Sequence, residues 1–439
     1  MKFIRNLCTK YSVFVLSALL TSGGALFHGT AFADETFSRT SAIQVPGGLA
    51  SFDIGFVDPQ LGLYFLADRT NKTVDQVKTS DNSITQLAKG SFVGVLTGTT
   101  SGPNGVITAN NHTEVWAGDG VPAGGTSRVL VIDLKTGTVT HTINNGGTGR
   151  ADELCEDPQH HLVLVANDEP SDLFLTFIST QTYQIVGTLR LDGTDRDAQN
   201  VNATNGIEQC QWSPRTGKFY LAVPEVSGAG NNSVPGAVLE INPASMKVQK
   251  VFSIDFGFVA AHGGTPATAD CLGPQGLAIG PQREILLGCS NAGKGTVIID
   301  ELDGSLVRNL PGLNGNDEVW YNPGDNHYFL AGSNHTGGAI LGVVDQSPDA
   351  ADNEDASVAT VAGSHSVAAD PIKNQVYVPV NTGNAALCSE TTTGCIAVFT
   401  AASDDPGVCT GNGTPADGQG KQGDPGFLRV VCPDNNGHP

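Results

Sequence analysis

Polar residues suited to acid, base or metal chemistry recur at regular distances along this 439-residue chain. Asp53, Asn104, Asp152, Glu208, Gln275, Asp317 and His365 are separated by 51, 48, 56, 67, 42 and 48 residues. All seven are polar, in a protein with only 15% charged residues. Asp152 and Asp317 are each followed by a second acid, Glu153 and Glu318. Several carboxylates gathered around one axis cannot all remain ionised cheaply. Either a cation sits among them or some of their pKa values rise. An oxygen-rich set of this kind suits a divalent metal such as Ca²⁺, Mg²⁺ or Mn²⁺ better than zinc. Asp152, Glu208 and Asp317 are the candidate metal ligands. A neutral histidine near them, His365 or His335, is a candidate catalytic base near pH 7. The plainer alternative is that both are loop histidines satisfied by backbone carbonyls.

The elements that must position these residues are legible in an internal repeat. Each of the seven residues opens a segment ending in a turn, as in Asp53 to Asp58-Pro59, Asp152 to Asp157-Pro158 and Asp317 to Asn322-Pro323. The second copy, Asn104 to Asn110, has Asn where the others have Pro. A short apolar strand follows each turn, such as Leu63-Tyr-Phe-Leu-Ala, Leu162-Val-Leu-Val-Ala and His327-Tyr-Phe-Leu-Ala. A third often comes next, such as Val129-Leu-Val-Ile-Asp or Thr296-Val-Ile-Ile-Asp. Four short β-branched and aromatic strands in roughly 40–50 residues make a propeller blade.

Seven copies predict an all-β, seven-bladed propeller of four-stranded blades. An open ring would expose sheet edges, so the stretch Ser38 to Val45 is expected to complete the last blade. The predicted organisation is a signal peptide over 1–33, the propeller over 34–400 and an irregular Gly/Asp/Pro-rich tail over 401–439. The seven recurring residues then line the mouth of the central channel on one face, the top. A second layer comes from top loops and includes Asp68, Arg69 and Asp168. His112, His160, His161 and His327 follow the opposite, bottom turns and are expected to face solvent. His160 and His161 are adjacent on a strand and point to opposite faces, against a shared metal.

The segments His365 to Pro371 and Val131-Ile-Asp-Leu-Lys-Thr-Gly137 resemble the repeat of seven-bladed propellers of the YVTN type. The resemblance spans nearly all of the chain after residue 33 and implies architecture only. A weaker similarity, in style rather than in a shared motif, is to lactonase and gluconolactonase-type propellers. That similarity implies acidic and Asn side chains holding a divalent metal in the channel.

Composition narrows the partners. With 23 Lys and Arg against 44 Asp and Glu, the formal charge is −21. A field of that sign repels nucleic acid and anionic membrane surfaces, and it favours cations and neutral or cationic ligands. The 55 glycines follow no strict Gly-X-Y period, which excludes collagen. The first residues read as an export signal: Lys2, Arg5 and Lys10, an apolar run from Ser12 to Leu20, then Ala31-Phe-Ala33 as a cleavage site. No later run approaches the roughly 18 apolar residues of a membrane span. The expected location is the bacterial periplasm or the exterior.

Eight cysteines follow the cleavage site, an even number that fits disulfides in an oxidising compartment. Cys271 and Cys289 both fall on the top side of the fifth blade. Cys388 and Cys395 share a loop of the seventh. Cys155 and Cys210 lie on inner strands of neighbouring blades, and Cys409 and Cys432 could pin the tail. No Cys-x-x-Cys, P-loop or Gly-x-Ser-x-Gly occurs, so haem attachment, nucleotide binding and a serine-hydrolase elbow lack their signatures, and no flavin is expected. Two readings remain open, and the first is the favoured expectation. One is a metal-assisted hydrolase or lactonase at the channel mouth. The other is a non-catalytic propeller that binds a protein or small ligand on its top face.

Overall fold

A computed structural model of the chain describes residues 36–168, 171–256, 271–291, 294–346, 357–381, 384–389 and 393–401. The export signal, the C-terminal tail and the Cys409–Cys432 pair lie outside the described residues. The described strands form seven four-stranded antiparallel sheets, arranged as blades. Blade 1 contains β2 (Gly55–Asp58) to β5 (Ile84–Leu87). Blade 2 runs from β6 (Val106–Ala109) to β9 (Thr138–Asn144), and blade 3 from β10 (Arg150–Asp157) to β13 (Ile185–Arg190). Blade 4 runs from β14 (Cys210–Ser213) to β17 (Lys247–Ser253). Blade 5 runs from β18 (Pro274–Ile279) to β21 (Leu306–Leu310), and blade 6 from β22 (Val319–Asn322) to β25 (Val358–Ala359). Blade 7 combines β26 (Ala368–Asp370), β27 (Gln375–Val380) and β28 (Cys395–Ala401) with the N-terminal strand β1 (Phe37–Gln44).

That last sheet closes the ring, as the sequence predicts. β1 pairs antiparallel with β28, from Phe37 opposite Ala401 to Gln44 opposite Cys395. The apolar patterning explains the layering. Second strands such as Leu162–Asp168 are buried along their whole length and read as continuous apolar runs. Outer strands such as Lys247–Ser253 are mostly exposed, with only Val248 and Phe252 buried. The core is correspondingly divided. Each of the seven junctions between neighbouring blades holds its own apolar cluster, including the junction of blades 7 and 1, where Ile43, Phe52, Tyr64 and Tyr377 pack together.

Three disulfides join the expected partners: Cys155 with Cys210, Cys271 with Cys289, and Cys388 with Cys395. One histidine departs from expectation. His327 is buried, not solvent-facing, because Phe37 of the closing strand packs edge-on against it and against Phe329. The closing strand covers a position that looks like bare blade surface in the sequence. His112 and His160 are partly exposed and anchored through Nδ1 to the turn carboxylates Asp58 and Asp157, at 2.5 and 2.6 Å.

Candidate functional site at the channel mouth

The recurring polar residues sit on an irregularity that the blades share. In blade 1 the Asp53 N–H donates to the Ala67 carbonyl, while the Ala67 N–H donates to the Ile54 carbonyl. Two residues of the inner segment therefore oppose one residue of the second strand, the definition of a β-bulge. The same pairs of bonds set Asn104 and Gly105 against Gly118, Glu208 and Gln209 against Ala222, and Asp317 and Glu318 against Ala331. In blades 3 and 5 the register shifts at the same place, leaving Asp152 and Glu153 opposite Ala166, and Gln275 and Gly276 opposite Gly288. In blade 7 the facing position is Pro379, which has no N–H to give.

The opposing residue is small in six blades because the next blade passes over it. A Cβ on Gly118 would stand 2.4 Å from the Ala151 carbonyl oxygen. The bulge also frees the second residue's N–H to reach the next blade. Ile54 donates to the Asn104 carbonyl, Gly105 to Asp152, Gln209 to Gln275 and Glu318 to His365, at 3.0–3.4 Å. These bonds form a belt around the channel. Gly55 N–H extends it to the Ser366 hydroxyl, at 2.8 Å.

Bulges re-aim side chains, and here they turn a second residue inward. The carboxyls of Glu153 of blade 3 and Glu318 of blade 6 meet there and act on each other's charge. Both are buried. Gln209 of blade 4 accepts from Leu277 N–H at 2.7 Å and donates to the Val319 carbonyl at 3.1 Å, tying blades 4, 5 and 6.

Two arginines bridge the acids of the mouth. Arg69 donates through Nη2 to Asp53, with which it forms an ion pair, and to Asn104 Oδ1; its Nε also reaches the Pro103 carbonyl. Arg150 spans Asp152 through Nε (2.6 Å) and Asp168 through Nη2 (2.8 Å). Arg69 belongs to the expected top layer. Arg150 and Gln209 are not among the expected mouth residues. Arg150 lies two residues before Asp152 in a base-poor chain, and Gln209 fills the slot that holds Glu153 and Glu318 in other blades. Both signals were available in the repeat.

Charge is unevenly balanced. Burial works to raise the pKa of Asp53, but the Arg69 guanidinium, the His365 hydrogen bond and the Arg150 charge outweigh it and hold this carboxyl well below the usual range. Burial raises Asp152 to about 7; Arg150 opposes the rise, while Asp53 and Asp168 add to it. Burial also pushes Glu208 well above its usual range, reinforced by the charges of Asp168, Asp317 and Asp152. Asp317 is raised by burial too. Gln275 contributes an amide N–H to Glu208 Oε1 at 3.2 Å.

His365 stacks on Phe52 at 4.9 Å. Its Nδ1 faces the Gly363 carbonyl at 2.9 Å, and its Nε2 faces Asp53 Oδ1 at 3.2 Å. Two acceptors require two N–H groups, so the imidazolium is favoured. Burial opposes this, but the Asp53 hydrogen bond and the Asp317 charge raise the His365 pKa. No hydrogen bond joins His335 to His365. The ring nitrogens of His335 lie 3.1 Å from the carbonyls of Gly338, in its own loop, and Gly312, in the connection between β21 and β22. Asp68 is drawn away from the mouth: it bonds Asn71 and meets Asp75 within blade 1. Among the described residues no three His, Cys, Asp or Glu side chains stand close enough together to hold a metal ion.

The architecture recurs among solved structures. The chain superposes on a chain of a mitotic checkpoint complex with a TM-score of 0.57 and 12% identity, covering 89% of this chain and 99% of that one. It superposes on the RRP9 WD40 repeats at 0.55 and 9%, covering 84% and 100%. For hydrazine synthase of Kuenenia stuttgartiensis the values are 0.56 and 15%, covering 78% and 96%. Identities this low show the fold alone. No family model matches the sequence, and no curated protein does.

Proposed function

We propose that this chain is an exported, non-catalytic propeller that binds a ligand or partner group at the mouth of its channel. The observation that carries this reading is the state of His365. A general base must have a free lone pair near pH 7, and both of its ring nitrogens face acceptors. Most of the surrounding groups are buried, and two arginines fix Asp53, Asn104, Asp152 and Asp168 in place, which supports a preorganised recognition surface. Three disulfides and the N-terminal signal pattern support export. The segments at His365 and Val131 support a YVTN-type lineage.

The test uses protein purified as residues 34–439. A lactone and ester panel is assayed with and without Ca²⁺, Mg²⁺ or Mn²⁺, beside a thermal-shift screen of small molecules and peptides. The expected result is no turnover, and stabilising compounds whose effect is lost in Asp317→Asn but kept in the bottom-face control His160→Ala. Metal-dependent turnover abolished by Asp152→Ala, Glu208→Ala or Asp317→Ala would overturn this reading in favour of the hydrolase.

A further inference from the structure

The mouth contains carboxylate oxygens that its own cations do not reach. Asp152 is 2% exposed; its Oδ2 accepts from Arg150, but its Oδ1 has no hydrogen-bond partner. Glu208 accepts a single neutral amide N–H, on Oε1. Among the described residues Asp317 has no side-chain hydrogen bond or ion pair and meets His365 only through space. These three come from blades 3, 4 and 6, and their charges act on one another: Glu208 feels both Asp317 and Asp152. A buried acceptor without a donor costs free energy that an incoming donor restores.

Most of the arginine donors nearby are committed, and among the described residues only the two Nη1 groups have no acceptor at the mouth. Nε and Nη2 of Arg69 serve Asp53, Asn104 and Pro103, and those of Arg150 serve Asp152 and Asp168. An anionic ligand would find only those Nη1 groups, among acidic side chains that outnumber the two arginines. A bare metal ion needs its ligands within roughly 2.0–2.6 Å of a single point, and these acids do not gather that closely. An organic cation has looser demands. An ammonium carries three N–H donors and a guanidinium five, spread over the group and directed outward.

We infer that the mouth is a recognition site for an organic cation, an alkylammonium or guanidinium group, held by Asp152, Glu208 and Asp317. The group is carried either by a free amine or by a Lys or Arg side chain of a protein. This inference rests on the binding reading above and specifies its ligand.

Calorimetry with agmatine, the methylamides of acetyl-lysine and acetyl-arginine, the neutral butylurea and CaCl₂ tests it. Agmatine or a methylamide should bind wild type, and Asp317→Asn and Glu208→Gln should each weaken that binding by about tenfold or more. Butylurea should bind far more weakly. Tighter binding of agmatine identifies a free amine as the source, and tighter binding of a methylamide identifies a protein side chain. Asp317→Lys supplies an ammonium from within; it should abolish agmatine binding and raise the melting temperature. Agmatine binding no tighter than butylurea, or unchanged in both isosteric variants, would overturn the inference, as would agmatine binding retained by Asp317→Lys. So would selective Ca²⁺ binding at the mouth or a neutral ligand there. In those cases the binding reading would survive, whereas metal-dependent turnover would remove both.

Discussion

The buried carboxyls of Glu153 from blade 3 and Glu318 from blade 6 meet in the channel, and each acts on the other's proton. Two buried carboxyls side by side cannot both ionise cheaply. Burial raises both pKa values well above the usual range; for Glu318 the Glu153 charge adds to the rise. A raised folded pKa means that the folded state holds the proton more tightly than the unfolded chain. The resulting stability is complete below the unfolded pKa and is lost as pH rises through the folded one.

The first prediction follows from that sign. Wild-type stability should fall as pH rises from the ordinary carboxylate range, near 4, with Asp152 contributing up to about 7. Glu318→Gln removes one of the two facing carboxyls and has no proton to titrate. Urea unfolding at pH 5 and pH 8 should show a smaller pH difference in this variant than in wild type.

Arg150 is the second target. Arg150→Met removes the only cation that bonds both Asp152 and Asp168 among the described residues. Leaving buried acids uncompensated should cost about 3–5 kcal/mol at neutral pH. The loss should shrink at pH 5, where Asp152 takes up a proton. Chemical denaturation at the two pH values measures both effects.

Phe37 is the third. It packs edge-on against Phe329 at 5.1 Å and His327 at 5.5 Å. Phe37→Ala should cost about 3–5 kcal/mol through the cavity it leaves. Removal of β1 altogether would expose the edge of β28 and should produce concentration-dependent association. Denaturant midpoints and light scattering read the two variants.

The disulfides should differ in weight. Cys155–Cys210 spans 55 residues and joins two blades, whereas Cys388–Cys395 spans 7. Loop-closure entropy gives about 4 kcal/mol for the first and about 2 kcal/mol for the second. Paired Cys→Ala variants compared by calorimetry should keep that order.

The blades were legible because each depends on local chemistry. Runs such as Leu63–Asp68 are apolar and β-branched or aromatic, their turns carry Asp, Asn, Gly and Pro, and the copies recur in order. The closing strand was legible for a similar reason: seven copies in a ring left one strand to supply. The list of mouth residues, from Asp53 to His365, also came from the repeat. Which groups touch was decided only by the closed ring. Arg150 bridges acids separated by 16 residues in sequence, Gln209 reaches Val319, and Glu153 reaches Glu318. A one-residue bulge turns the neighbouring position inward, and strand alternation alone would have turned it away. Burial then sets which carboxyls keep their protons, and burial is a property of all seven blades together, written in no single repeat.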